Sequence, residues 1–136
     1  MEILIKVIPA LVLGSMLFFS IVIAPKIFVV LPNEEAGKFV RSIFPAYYKY
    51  NGLQYLVLII LMYITEETGN IFYISCFILF LFFFSNYFLV PIINKARDED
   101  NQKKFKILHL ASVIINFLII ILSIFLILLL YCWVGK

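Results

Sequence analysis

The chain has 136 residues, 65% of them hydrophobic and only 14% charged, against about one quarter charged in an ordinary soluble domain. A domain of this length buries roughly two-thirds of its surface, too little to hide so many Phe, Ile and Leu side chains, so a water-soluble globular fold is excluded. The net charge of +3 is small and scattered and gives no basis for nucleic-acid binding.

The first apolar run, Ile3 to Ala24, meets the roughly 20 residues needed to cross ~30 Å of hydrocarbon, and Lys6 can snorkel to the headgroups. It exceeds the roughly 7–15 residues of a signal-peptide core, and "SIVIAPK" has no A-x-A site. It therefore reads as a retained anchor. Gly14 beside Ser15 is expected to admit a neighbouring helix closely, and Pro25 to remove a backbone bond where Lys26 opens a polar rim.

In "PNEEAGKFVRSIFPAYYKY", Asn33 reads as an N-cap, with Glu34 and Glu35 in the first turn. Ala36, Phe39, Val40, Ile43, Phe44 and Tyr47 recur at helical spacing, leaving Lys38, Arg41 and Ser42 on another face. This pattern predicts an amphipathic interfacial helix between the first and second spans, with Lys38 and Arg41 toward anionic lipid headgroups. The alternative is that the same stripe packs on the cytoplasmic end of the other helices. Pro45 is expected to turn the chain into a second span, 46–65, which is short and needs tilt or local thinning of the bilayer. A third span follows at 71–93, with Pro91 near its end, and a fourth at 107–134. Between these two, "NKARDEDNQKKFK" alternates in sign without an apolar period and reads as a solvated hairpin connection. The fold class is thus all-α: an integral membrane four-helix bundle forming one transmembrane domain over 1–136.

Nine of the eleven cationic side chains lie in two stretches: Lys26, Lys38, Arg41 and Lys49, then Lys95, Arg97, Lys103, Lys104 and Lys106. Only Lys6 and Lys136 fall on the other side. The positive-inside rule puts loops 25–50 and 94–106 in the cytoplasm and both termini outside the cytoplasmic (inner) membrane.

Polar side chains within the spans carry the functional information, because an unpartnered amide or imidazole in hydrocarbon costs several kcal/mol. On the fourth span His109, Ser112, Asn116 and Ser123 share one face. His109 is ~3 Å, Ser112 ~8 Å and Asn116 ~14 Å inside Ile107, and Asn86 is ~10 Å inside Ile93. With Asn51, Gln54 and Asn94 they form a cluster expected in the cytoplasmic half. Two readings stay open. One is interhelical hydrogen bonding, Asn86 with Asn116 and His109 with Asn94, Gln54 or a tyrosine hydroxyl. The other is a small hydrated vestibule in which His109 is a proton acceptor, ligand contact or metal ligand. No nucleophile adjoins a base and no carboxylates pair inside a span, so hydrolytic chemistry is disfavoured. Cys76 and Cys132 lie in apolar runs without CxxC spacing and read as small buried hydrophobes.

The blocks "GSMLFFSIVIAPKIFVVLP", "IFPAYYKYN", "PIINKARD" and "FKILHLASVIIN", in that order, resemble the transmembrane protein 205-like family, known in bacteria as domain of unknown function 4149. The matching positions are Gly14, Phe19, Pro25, Phe44, Tyr47, Pro91, Phe105, His109, Ser112 and Asn116. The resemblance implies a compact four-helix integral membrane protein without a well-established activity. A looser architectural likeness points to small four-helix membrane proteins of copper resistance and haem biosynthesis, in which histidines hold haem or metal. Here one histidine supplies one axial ligand, so haem would need a second chain or Met16 or Met62. No cofactor is predicted, and haem or metal on His109 is the alternative. The leading expectation is a non-enzymatic membrane protein, homo-oligomeric or within a larger membrane complex, that supports binding or passage of a small solute or ion. The alternatives are a redox protein using His109 and a structural accessory subunit.

Overall fold

A computed structural model describes residues 1–133; the predicted end of the last span, Val134, lies outside them. The described residues form four long helices and no strand: α1 (Glu2–Val30), α2 (Asn33–Ile64), α3 (Asn70–Asp98) and α4 (Gln102–Trp133). α1, α3 and α4 through Cys132 are long and apolar enough to cross a membrane. α2 falls short because Lys49, Asn51 and Gln54 interrupt its apolar run.

The second predicted segment differs most from its expectation. No separate interfacial helix forms, and Pro45 does not turn the chain but lies inside the continuous α2. A proline within a helix costs about 3 kcal/mol, and the surrounding aromatic packing offsets it. Phe44 and Tyr47 meet Phe19 of α1 at 5.5 and 4.7 Å, and Tyr48 meets Phe82 of α3 at 6.4 Å. The apolar stripe therefore turns inward at Ala36 and Tyr47, both buried, while Phe39 stays exposed. Asn33 is the first helical residue and not the cap; the Ala36 N–H reaches the Pro32 carbonyl at 2.8 Å.

The connection predicted over 94–106 is also shorter than expected. α3 runs to Asp98 and α4 starts at Gln102. Asp100 takes a left-handed φ of 51°, and the Asn101 N–H closes onto the Ala96 carbonyl at 3.0 Å, a Schellman closure that satisfies the last carbonyls of a helix. α2 ends the same way, with Glu66 at φ 59° and the Glu67 N–H on the Met62 carbonyl at 2.8 Å. Connections this short hold successive helices side by side and antiparallel.

Pro25 and Pro91 have matching effects. A five-residue π-helical turn stands before each, Phe19–Ile23 in α1 and Ser85–Leu89 in α3. Proline offers no N–H to the carbonyl four residues back, and widening the preceding turn lets the helix continue past it. In α3 the Val90 N–H bonds to the Ser85 carbonyl. With no N–H on Pro91, the Asn86 carbonyl is left without a donor from its own helix.

α1 and α3 each pack against both α2 and α4, whereas the α1/α3 and α2/α4 pairs stay apart at backbone distance. Long side chains bridge the second of these pairs: the Tyr48 hydroxyl accepts from Asn116 Nδ2 at 2.9 Å, and the Tyr55 hydroxyl meets Ser123 Oγ at 2.9 Å. Both steps are seven residues in the same direction, so α2 and α4 run parallel, with a heptad seam between them. Met62 and Leu130, one heptad further on, are also buried.

Replacing Tyr55 by Phe removes one rung of this seam. A double-mutant cycle with Ser123→Ala, read by reversible unfolding in detergent, is expected to give a coupling of about 0.6 kcal/mol, the average for hydrogen bonds between membrane helices. Gly52→Ala fits, since its Cβ would stand 3.5 Å from Phe82 Cβ, whereas Gly52→Leu overpacks that contact and lowers the melting temperature.

Candidate functional site

Asn51 is fully buried and well bonded. Ser15 of α1 donates to its Oδ1 at 2.6 Å, and its Nδ2 donates to the Tyr47 carbonyl at 3.0 Å. Ser15 thus brings α1 to α2. Gly14, expected to allow that approach, is exposed, and a Cβ there would meet nothing within 4 Å. The close approaches occur at Gly52 and Gly37 of α2.

Around Tyr48 the bonding is incomplete. Asn116 Nδ2 spends its hydrogens on the Tyr48 hydroxyl and on the Ser112 carbonyl at 3.1 Å, while its Oδ1 is buried without a partner. Ser85 lies beside the same Tyr48 hydroxyl, yet its fully buried Oγ meets no partner in hydrogen-bonding geometry. Asn86, next in the π-turn and 8% exposed, leaves its Oδ1 unpartnered, and Gln54 Nε2 is a fourth such atom. Three oxygens and one amide nitrogen are therefore buried without partners, although native structures satisfy most such groups. The π-turn adds the uncommitted Asn86 backbone carbonyl.

Of the predicted residues, Asn86 and Asn116 belong here, but they do not bond to each other. Ser112 sits one turn along, its hydroxyl donating to the His109 carbonyl at 2.7 Å. Asn94 is half-buried. His109 departs from its expectation: it is exposed and stacks on Phe105 at 5.9 Å, making none of the bonds anticipated for it. It stands one heptad before Asn116, on the seam face of α4, but no side chain of α2 meets it there and it is left exposed. Sequence reasoning missed Tyr48, Ser85 and Tyr55 and named Ser15 only as the neighbour of Gly14; the one available signal was the heptad spacing Tyr48–Tyr55 beside Asn116–Ser123.

At the cationic end, the side chains expected to meet lipid headgroups have protein partners. Lys38 pairs with Glu34 at 2.9 Å and Glu35 at 3.1 Å, and Glu34 first, then Glu35, raises its pKa above the usual lysine value. Arg41 pairs with Asp98. Arg97 makes no ion pair among the described residues. It packs over Gly37, where its guanidinium atoms come within 3.1–3.3 Å of where a Cβ would stand, and over the Phe105 ring at 5.4 Å. Cys76 and Cys132 are unpaired. Among the described residues no three of His, Cys, Asp and Glu come together as a metal site.

The model of the domain of unknown function DUF4149 matches residues 7–102. The chain belongs to the DUF4149 family. An uncharacterized protein of Aquifex aeolicus (strain VF5) is 30% identical over 112 residues, covering 82% of this chain and 80% of that protein. No solved structure matches significantly. The DUF4149 match takes in Tyr48, Ser85 and Asn86 but ends before Asn116.

Asn51 and Asn86 separate bonded from unbonded burial. Asn51→Leu is expected to destabilise by about 1–2 kcal/mol, since it strips the partner of Ser15. Asn86→Leu should leave stability unchanged or raise it, because no bond is lost and an unsatisfied amide is removed. Thermal unfolding of the two variants in one detergent measures the difference.

Proposed function

We propose that this DUF4149 protein crosses the inner membrane four times as a helical bundle and binds a small polar solute or ion between α2, α3 and α4. The observation that carries the reading is the set of buried, unpartnered oxygens on Ser85 and Asn86 of α3 and Asn116 of α4. Such groups raise the energy of the empty protein, and a ligand offering hydrogen-bond donors, or a cation, relieves them. The π-turn before Pro91 supports the same view, since turns of this kind recur at functional sites and non-helical backbone at membrane depth is tolerated where it lines a cavity.

The crossing of α2 is argued from its surface. Leu53, Leu56, Val57, Ile60 and Ile64 are exposed, whereas Asn51 and Gly52 are buried, so its polar residues turn inward and its outer face suits lipid. On this reading the two cation-rich stretches face the cytoplasm, and the likeness to transmembrane protein 205-like proteins reflects a shared four-crossing frame. His109 is exposed on Phe105 while Met16 and Met62 are buried in the core, so the haem or metal alternative finds no pair of donors ready among the described residues.

The test is solute uptake or binding in proteoliposomes, screened over small ions and neutral polar solutes. Asn86→Leu and Ser85→Ala are expected to reduce the signal at least tenfold while the melting temperature holds or rises. If both variants lose stability in step with activity, the polar groups serve packing alone. Single cysteines introduced at residues 68 and 100, on a background lacking Cys76 and Cys132, should label from opposite sides of the membrane; labelling from one side overturns the crossing of α3.

A further inference from the structure

We infer that Arg97, packed against Gly37 of α2 and over Phe105 of α4, forms a binding site for a phosphate group at the cationic end of the protein, with His109 on the same Phe105 ring as a second contact, and that the headgroup of an anionic phospholipid fills it. The site is distinct from the buried polar group between the helices and rests only on the placement of this end of the protein at a bilayer surface.

Three observations point there. First, the carboxylates that follow Arg97 are engaged elsewhere: Asp98 by Arg41, Glu99 by Lys95 at 3.8 Å, and Asp100 by the Gln102 amide at 2.8 Å. The guanidinium is left with its charge uncompensated and its hydrogens free. Second, its position is built. Gly37 leaves space for the guanidinium to lie against α2, and Phe105 presents its ring at 5.4 Å, so a planar fork suited to two phosphate oxygens is held before any ligand arrives. Third, His109 stacks on the same Phe105 with the two rings only 6° from parallel. It is exposed about 3 Å inside the start of the apolar run, the depth at which acyl chains meet headgroups. An imidazole facing hydrocarbon needs a hydrogen-bond partner, and a lipid phosphate at that level supplies one. Lys103, Lys104 and Lys106 on the first turns of α4 add a favourable field without a fixed geometry.

Native mass spectrometry of the full chain, released from detergent with equal phosphatidylglycerol and phosphatidylcholine, tests the site. The wild type is expected to retain phosphatidylglycerol roughly fivefold over phosphatidylcholine, a reading that needs no variant. Arg97→Gln should bring the ratio to about one, Gly37→Ala should lower it by displacing the fork with the charge kept, and His109→Phe should lower it with the stacking kept. Lys103→Gln should leave it nearly unchanged. Displacement of the lipid by millimolar inorganic phosphate would support the phosphate site and assign it to a soluble source; no displacement assigns it to the headgroup. Equal retention of the two lipids by the wild type, or equal losses in Arg97→Gln and Lys103→Gln, overturns the proposal.

Discussion

In an apolar surround a hydrogen-bonding side chain is stable only with a partner, on its own helix or on another, and this requirement organises the interior. The two tyrosines of α2 meet it by reaching across to the helix that is not their backbone neighbour, Tyr48 to Asn116 and Tyr55 to Ser123. Because both bonds advance by one heptad, they fix the relative height and rotation of α2 and α4 together. α1 is then tied by Ser15 to Asn51 and by the rings of Phe19, Phe44 and Tyr47, and α3 enters through Phe82 between Tyr48 and Tyr55. Phe19, Phe44 and Tyr47 meet there as one aromatic contact beside a π-turn.

Where this network runs out of partners, the interior becomes chemically interesting. Asn51 closes its bonds within the protein, while Asn86, Ser85 and one end of Asn116 do not. The imbalance follows from Pro91, whose missing N–H forces a wider turn and carries Ser85 and Asn86 inward. An open concavity of about 740 Å³ lies at the other end, near Glu66, Gly69 and Phe125. It offers a turn and apolar walls, with none of the unpartnered groups.

The cationic end shows a similar sorting of charges. Lys38, Arg41 and Lys95 spend theirs on carboxylates of the same chain, and Arg97 does not. Exposed pairs of this kind contribute little to stability. They leave Arg97 and several lysines without a carboxylate, and of these Arg97 is the one held in place, over Gly37 and Phe105 beside the short Schellman turn at Asp100.

The sequence by itself determined that the chain is helical and apolar enough for a membrane, which polar residues lie inside its long runs, and where its cations concentrate, because hydrophobic length and charge are local properties of the chain. Even there, the helices run through Pro45 and into 94–106, where local signals place their ends, since breakers and charge runs yield to packing that spacing alone does not reveal. Only the tertiary structure decided which polar groups meet. His109 and Asn116 lie seven residues apart on what reads as one face, yet Asn116 finds Tyr48 while His109 is left outside on Phe105. The reason is physical: helical periodicity specifies a direction around an axis, but whether that direction holds a partner depends on the neighbouring helices, and their rotation is set by side chains far away in the chain.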